Sequence, residues 1–162
     1  MIQRKVCLIG VPAVGKTSLA RRFVEGTFSE AYLTTIGVHI SRRVVDPDAA
    51  EPVTLVVWDL NGDDAFAPLQ SRYVRGAAGV LLVADGTRPA TLARALELHA
   101  RLEAELGALP AVVCLNKRDL PGWSLRADAP ELAGYAVVET SAADGRGVEH
   151  AFARLAAPPP AP

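Results

Sequence analysis

Cysteine is scarce in this chain of 162 residues: Cys7 and Cys114 are the two. Each lies inside an apolar run, VCLIG or AVVCLN. They read as buried thiols of a reduced protein, not as a disulfide framework or a metal site. The three histidines, His39, His99 and His150, are scattered without metal-ligand spacing and read as surface or packing residues. No apolar run approaches the roughly 18 residues that span a bilayer. The apolar stretch of MIQRKVCLIG ends in a glycine-containing loop, so it reads as a first strand and not as a signal peptide. Charge of one sign is also missing. The net charge of -1 gives no electrostatic reason to bind nucleic acid or an anionic membrane. No internal repeat and no linker divides the chain. A cytoplasmic protein of one domain is expected.

What is present is an ordinary globular composition, 50% hydrophobic and 22% charged. Short apolar runs alternate with longer helical ones. Residues Arg4–Ile9, Val53–Asp59, Gly79–Ala84, Pro110–Leu115 and Tyr135–Glu139 are expected as buried strands. Val38–Val45 alternates more and suits a strand nearer an edge. Lys16–Glu25, Ala65–Arg75, Thr91–Leu106 and Val148–Ala156 are expected as helices. This alternation implies a three-layer α/β fold: a mostly parallel six-stranded sheet with helices on both faces. Residues 1–157 would form it, and Pro158–Pro162 would be a loose Pro/Ala tail. In such sheets ligands sit beyond the carboxyl ends of the strands, so the loops there are where chemistry is sought.

The first of those loops is Gly10-Val-Pro-Ala13-Val14-Gly15-Lys16-Thr17-Ser18. It is a G-x-x-x-x-G-K-T placed between strand and helix, the context a phosphate-binding loop requires. Its backbone N–H groups and the positive end of the next helix attract phosphate. Lys16 would neutralise the β and γ phosphates, and the Thr17 hydroxyl would ligate Mg²⁺. A second loop, Asp59-Leu60-Asn61-Gly62, could hold the Mg²⁺ water shell through Asp59 and meet a γ-phosphate through the Gly62 N–H. The third, Asn116-Lys117-Arg118-Asp119, points to the base. A carboxylate at Asp119 can accept from the N1–H and the exocyclic amine of guanine, a donor pair that adenine lacks on that edge. The stem of Lys117 can lie against the base plane. A fourth, Thr140-Ser141-Ala142, could offer N–H groups to the guanine carbonyl, with Ala142 small enough for close approach.

Taken together these loops identify the chain as similar to the Ras-like small GTPases, with the Rab branch closest in wording, over nearly its whole length. FVEGTFSEAYLTTIGV (Phe23–Val38) resembles their first switch segment, and SRYVRGAAGVLLVADGTRP (Ser71–Pro89) resembles their second switch helix and fourth strand. The resemblance implies a GTP/GDP molecular switch with Mg²⁺-dependent hydrolysis, or, in a second reading, a GTP-binding interaction module that barely hydrolyses. It gives Thr35 as the switch threonine that ligates Mg²⁺ and contacts the γ-phosphate. It gives Phe28 as the aromatic on the guanine edge, against the plain alternative of a core phenylalanine, and Tyr32 as a mobile tyrosine over the phosphates. It implies a protein effector and exchange or activating factors on residues 28–40 and 60–75, with no nucleic acid. No lipid anchor is expected, since the last residues hold no cysteine and Ile2 follows Met1. The alanine- and arginine-rich composition suits a bacterial source.

The chain departs from that family in four places. One is Leu60 and Asn61, which replace the usual small pair and would let the second switch pack differently. Asp63 stands where the family usually has the glutamine that orients the attacking water, so catalysis by Lys16, Thr35, Gly62 and Asp63 is expected to be slow. Pro12 and Ala13 occupy phosphate-loop positions where the family usually has small residues or glycine. They narrow the space for an arginine inserted by a partner. Pro121, Gly122 and Pro130 break the segment where the family carries a further helix, which is expected to be truncated.

Overall fold

The computed structural model describes residues 2–28, 37–46, 51–60 and 67–157. The expected positions Tyr32, Thr35, Gly62, Asp63 and the tail lie outside them. Six strands form one sheet: β1 (Ile2–Ile9), β2 (Val38–Val45), β3 (Val53–Leu60), β4 (Gly79–Asp85), β5 (Ala111–Asn116) and β6 (Ala136–Glu139). Their order is β2-β3-β1-β4-β5-β6. All neighbours are parallel except β2 against β3. The helices are α1 (Lys16–Glu25), α2 (Ala67–Val74), α3 (Ala90–Leu106) and α4 (Val148–Ala156).

The central strands are apolar on both sides because both sides are covered. In β1, Val6 and Leu8 join the core under α1 and α4 with Leu19, Phe23, Ala151 and Phe152. Cys7 and Ile9, pointing the other way, join Leu92, Ala95 and Leu98 of α3. Phe23 and Phe152 stack with ring centroids 4.0 Å apart and seal α1 against α4. Both cysteines are free and buried, and burial pushes each thiol up to about 12, so neither is a reactive thiolate. His99 is buried between the Tyr135 hydroxyl and the Leu109 carbonyl, each 2.8 Å from a ring nitrogen, which makes it a packing residue.

Differences from the sequence-based boundaries have simple causes. β1 begins at Ile2, ahead of Arg4, because Ile2 and Gln3 continue the ladder against Val53 and Thr54. β3, β4 and β5 each run one residue further, onto Leu60, Asp85 and Asn116. Two of those added residues are polar, and apolar patterning does not register them. Pro110 lies outside β5, as a residue without an N–H would. Between β5 and β6 the described residues form turns and one 3₁₀ turn, Pro130–Leu132, in place of an α-helix. No helix among the described residues is long and apolar enough to cross a membrane.

Candidate functional site

Four loops leave the carboxyl ends of β1, β4, β5 and β6 and meet at one end of the sheet. Glycine is required at two points of the first. A Cβ on Gly10 would stand 2.5 Å from the Val83 carbonyl oxygen. Gly15 has φ 104, and a Cβ there would collide with the Asn116 amide. Gly15 is also the N-cap of α1, and no side chain caps the helix. The first-turn N–H groups therefore face the loop, where an anion would be attracted.

Lys16 is buried, and its Nζ donates to the carbonyls of Gly10 at 2.9 Å and Val11 at 3.0 Å. Burial brings the ammonium down to about 8, and the nearby Asp59 carboxylate offsets part of that. The Thr17 hydroxyl donates to Asp59 Oδ2 at 2.5 Å. A hydroxyl and a carboxylate in that relation are hard oxygen donors, the chemistry that suits Mg²⁺, so the residues present fit the ion. Ser18 follows, half-buried, in the same helical turn.

Asn116 joins the loops. It is 1% exposed. Its Nδ2 donates to the Val14 carbonyl at 2.9 Å, and its Oδ1 accepts from the Thr140 hydroxyl at 3.0 Å. Val14 is itself wholly buried, so the phosphate loop is anchored at its centre. Lys117 has φ 70, a left-handed conformation that few non-glycine residues adopt. Its Nζ donates to the Ala13 carbonyl at 2.7 Å and pairs with Asp85 Oδ2 at 3.0 Å. Asp119 is exposed, with one oxygen accepting from the Ser141 hydroxyl at 2.9 Å.

The fourth loop narrows one expectation. The Thr140 amide donates to the Leu115 carbonyl and the Ser141 amide to the Arg146 carbonyl, both at 2.9 Å. The N–H left to face a base carbonyl is that of Ala142, which is buried. Ser141 thus works through its hydroxyl on Asp119. The loop is fixed from below by Arg22 of α1, whose guanidinium donates to the carbonyls of Ala142 at 2.8 Å and Ala143 at 2.5 Å. Phe28 is 38% exposed, which removes the alternative of a core phenylalanine and leaves its ring available to a ligand.

Three site residues escaped the sequence reading: Arg22, Asp85 and Arg88. Asp85 is 2% exposed. Burial raises its pKa, but hydrogen bonds from Thr87, Lys117 and Arg88 outweigh that and hold the carboxyl at about 2. It carried a signal, a carboxylate ending an apolar strand, the same cue that marked Asp59. Arg22 and Arg88 belong to no local motif of the sequence. Among the described residues no group of three or more His, Cys, Asp or Glu could hold a metal by itself.

Comparison with known proteins follows the same line. The Ras family model matches residues 5–158. Ras-related protein Rab-7L1 of Rattus norvegicus is 31% identical over 129 residues, covering 76% of this chain and 63% of the relative. The Mus musculus protein of that name gives the same figures. Ras-related protein RABD2a of Arabidopsis thaliana is 32% identical over 160 residues, covering 94% of this chain and 78% of the relative. The match to the rat and mouse proteins therefore spans less than two thirds of their length.

Proposed function

The chain belongs to the Ras family, and from that premise we propose that it is a small GTP-binding protein, a GTP/GDP switch that hydrolyses GTP slowly. The observation that carries this reading is the Asn116 side chain. It fastens the phosphate loop at Val14 to the base-side loop at Thr140, so that Lys16 and Asp119 belong to one site. That site has an anion-attracting loop at one end and, at the other, an exposed carboxylate held by one hydroxyl. A guanine nucleotide matches both.

In this reading Asp119, oriented by Ser141, accepts from the guanine N1–H and amine, and the Ala142 N–H meets the base carbonyl. Phe28 and the Lys117 stem flank the ring. Lys16 leaves the carbonyls of Gly10 and Val11 for the β and γ phosphates, exchanging neutral acceptors for charged ones. Thr17, Thr35 and Asp59 would hold Mg²⁺, which spreads the negative charge of the phosphates when bound. Water attacks the γ-phosphorus and the bond to the β,γ-bridging oxygen breaks. Lys16 and the Gly62 N–H stabilise the charge that develops.

Asp63 is the reason for a slow rate. It is one methylene shorter than glutamine, cannot donate when ionised, and would face a polyanion. Pro12 at the lip of the loop is exposed and hinders an arginine inserted by a partner, a device worth roughly 10³–10⁵ in rate where it operates. These two residues also favour the second reading, an interaction module that holds GTP and is reset by exchange. In either reading the partners are proteins, an effector and exchange or activating factors on residues 28–40 and 60–75, in the cytoplasm.

Single-turnover hydrolysis by the GTP·Mg²⁺-loaded chain, with Asp63→Gln alongside, tests this. Slow turnover by the wild type and faster turnover by the Gln variant are expected. A Gln variant slower than the wild type would overturn the view of Asp63 as a handicap. A wild type that holds GTP uncleaved would select the second reading.

A further inference from the structure

The phosphate loop contains two features that do not favour its shape. Ala13 has φ 66, a left-handed conformation disfavoured for a residue with a Cβ. Pro12 brings no N–H of its own. Strained backbone of this kind persists only when its surroundings over-determine it.

The surroundings do so at three consecutive carbonyls. Asn116 Nδ2 donates to the Val14 carbonyl at 2.9 Å. Lys117 Nζ donates to the Ala13 carbonyl at 2.7 Å. An Arg88 guanidinium nitrogen donates to the Pro12 carbonyl at 3.3 Å. Because a trans peptide is planar, its C=O and N–H point in opposite directions. Holding the carbonyls of residues 12, 13 and 14 from outside therefore turns the N–H groups of residues 13, 14 and 15 to the other side. Three successive N–H groups turned one way form an anion-binding concavity.

Two of the three holders share an anchor. Asp85 Oδ2 lies 3.0 Å from Lys117 Nζ and 3.1 Å from Arg88 Nε. The Thr87 amide and hydroxyl donate to Oδ1 at 2.9 and 2.6 Å, which fixes the carboxylate itself. One buried anion thus sets the position of two cations, and the two together leave positive charge against the loop. Lys117 and Asn116 have the base-side loop to orient them. Arg88, two residues ahead of α3, has no such duty, and its side chain is 46% exposed.

We propose that Arg88 is a positioning residue for the phosphate loop, aimed by Asp85 at the Pro12 carbonyl, and that this clamp sets how long a bound guanine nucleotide stays. The proposal rests on the nucleotide-binding reading above and adds a residue to it. Arg88 touches no nucleotide in this account. It acts through the direction of the Ala13 N–H.

The test is release of a fluorescent GDP from the Mg²⁺-loaded full chain, followed by stopped flow in an excess of unlabelled GDP. Arg88→Ala is expected to release about fivefold faster, the loss of one partly exposed charged donor. Arg88→Lys, which keeps a cation within reach, is expected to recover most of that difference. Asp85→Asn, which loosens both cations, is expected to release faster than Arg88→Ala, and adding Arg88→Ala to it is expected to change little. The core variant Leu102→Ala, in the last turns of α3 and packed on the face of the sheet opposite Val14, is expected to lower Tm without altering release. That separates positioning from general destabilisation. Release by Arg88→Ala at the wild-type rate, no recovery in Arg88→Lys, or simple additivity with Asp85→Asn would each overturn the clamp. A wild type that binds no GDP would overturn the nucleotide reading and the clamp with it.

Discussion

The two ends of the site satisfy their polar groups in different ways. On the base side, Asn116, Thr140, Ser141 and Asp119 are hydrogen-bonded to one another and to fixed backbone. In the proposed reading a guanine binds there without breaking any of those bonds. On the phosphate side, Lys16 donates to its own loop and Thr17 to Asp59. There a nucleotide and its Mg²⁺ must replace existing partners. In the proposed reading, selectivity is accordingly built into the base end of the site, and the energy of exchange is spent at the loop. A switch needs this division, since its base contacts stay constant while its phosphate contacts change with the γ-phosphate.

The most damaging way to break the comparison is at the joint between the two ends. Gly15→Ala puts a methyl group into the Asn116 amide at a φ of 104. GDP affinity is expected to fall roughly hundredfold or more, which isothermal titration would read. Asp119→Asn should damage one end alone. GDP affinity is expected to drop roughly 10- to 100-fold, while xanthosine diphosphate, whose added oxo group can accept from the new amide, gains. Competition for a fluorescent nucleotide would measure both.

Acid sharpens the contrast further. The Asp85 carboxyl is held at about 2, below its ordinary 3.8. The charged form is therefore favoured by folding, and its contribution is present above about pH 4 and lost as pH falls towards 2. The stability gap between wild type and Asp85→Asn, from denaturant unfolding, should stay constant at neutral pH and close below pH 4. The smallest effect is expected at Ala13. Ala13→Gly relieves a left-handed alanine worth about 1 kcal/mol, and Tm should rise by about 2–4 °C.

The same division governs how much could be read from sequence. The sheet was legible because burial on both faces makes β1, β4 and β5 continuous apolar runs, and α1 and α4 matched residue for residue. Lys16, Thr17, Asp59, Asn116 and Asp119 stand out as candidates because each lies at a fixed offset from a strand end. What escaped acts across the chain. Arg22 reaches Ala142, 120 positions away, and Arg88 reaches Pro12, 76 away. No local pattern marks such pairs, since only the crossovers of a parallel sheet bring them together. The buried Asp85 carries a local cue, a carboxylate ending an apolar strand, but its two cationic partners lie on separate loops.

The most direct test of the account is nucleotide selectivity of the purified chain, stripped of bound nucleotide and titrated with GDP and ADP in Mg²⁺. The account predicts GDP binding tighter than ADP by roughly 10⁴-fold, because a site built around a carboxylate acceptor rejects a base without the matching donors. Comparable binding of ADP, or no binding of GDP, would contradict it.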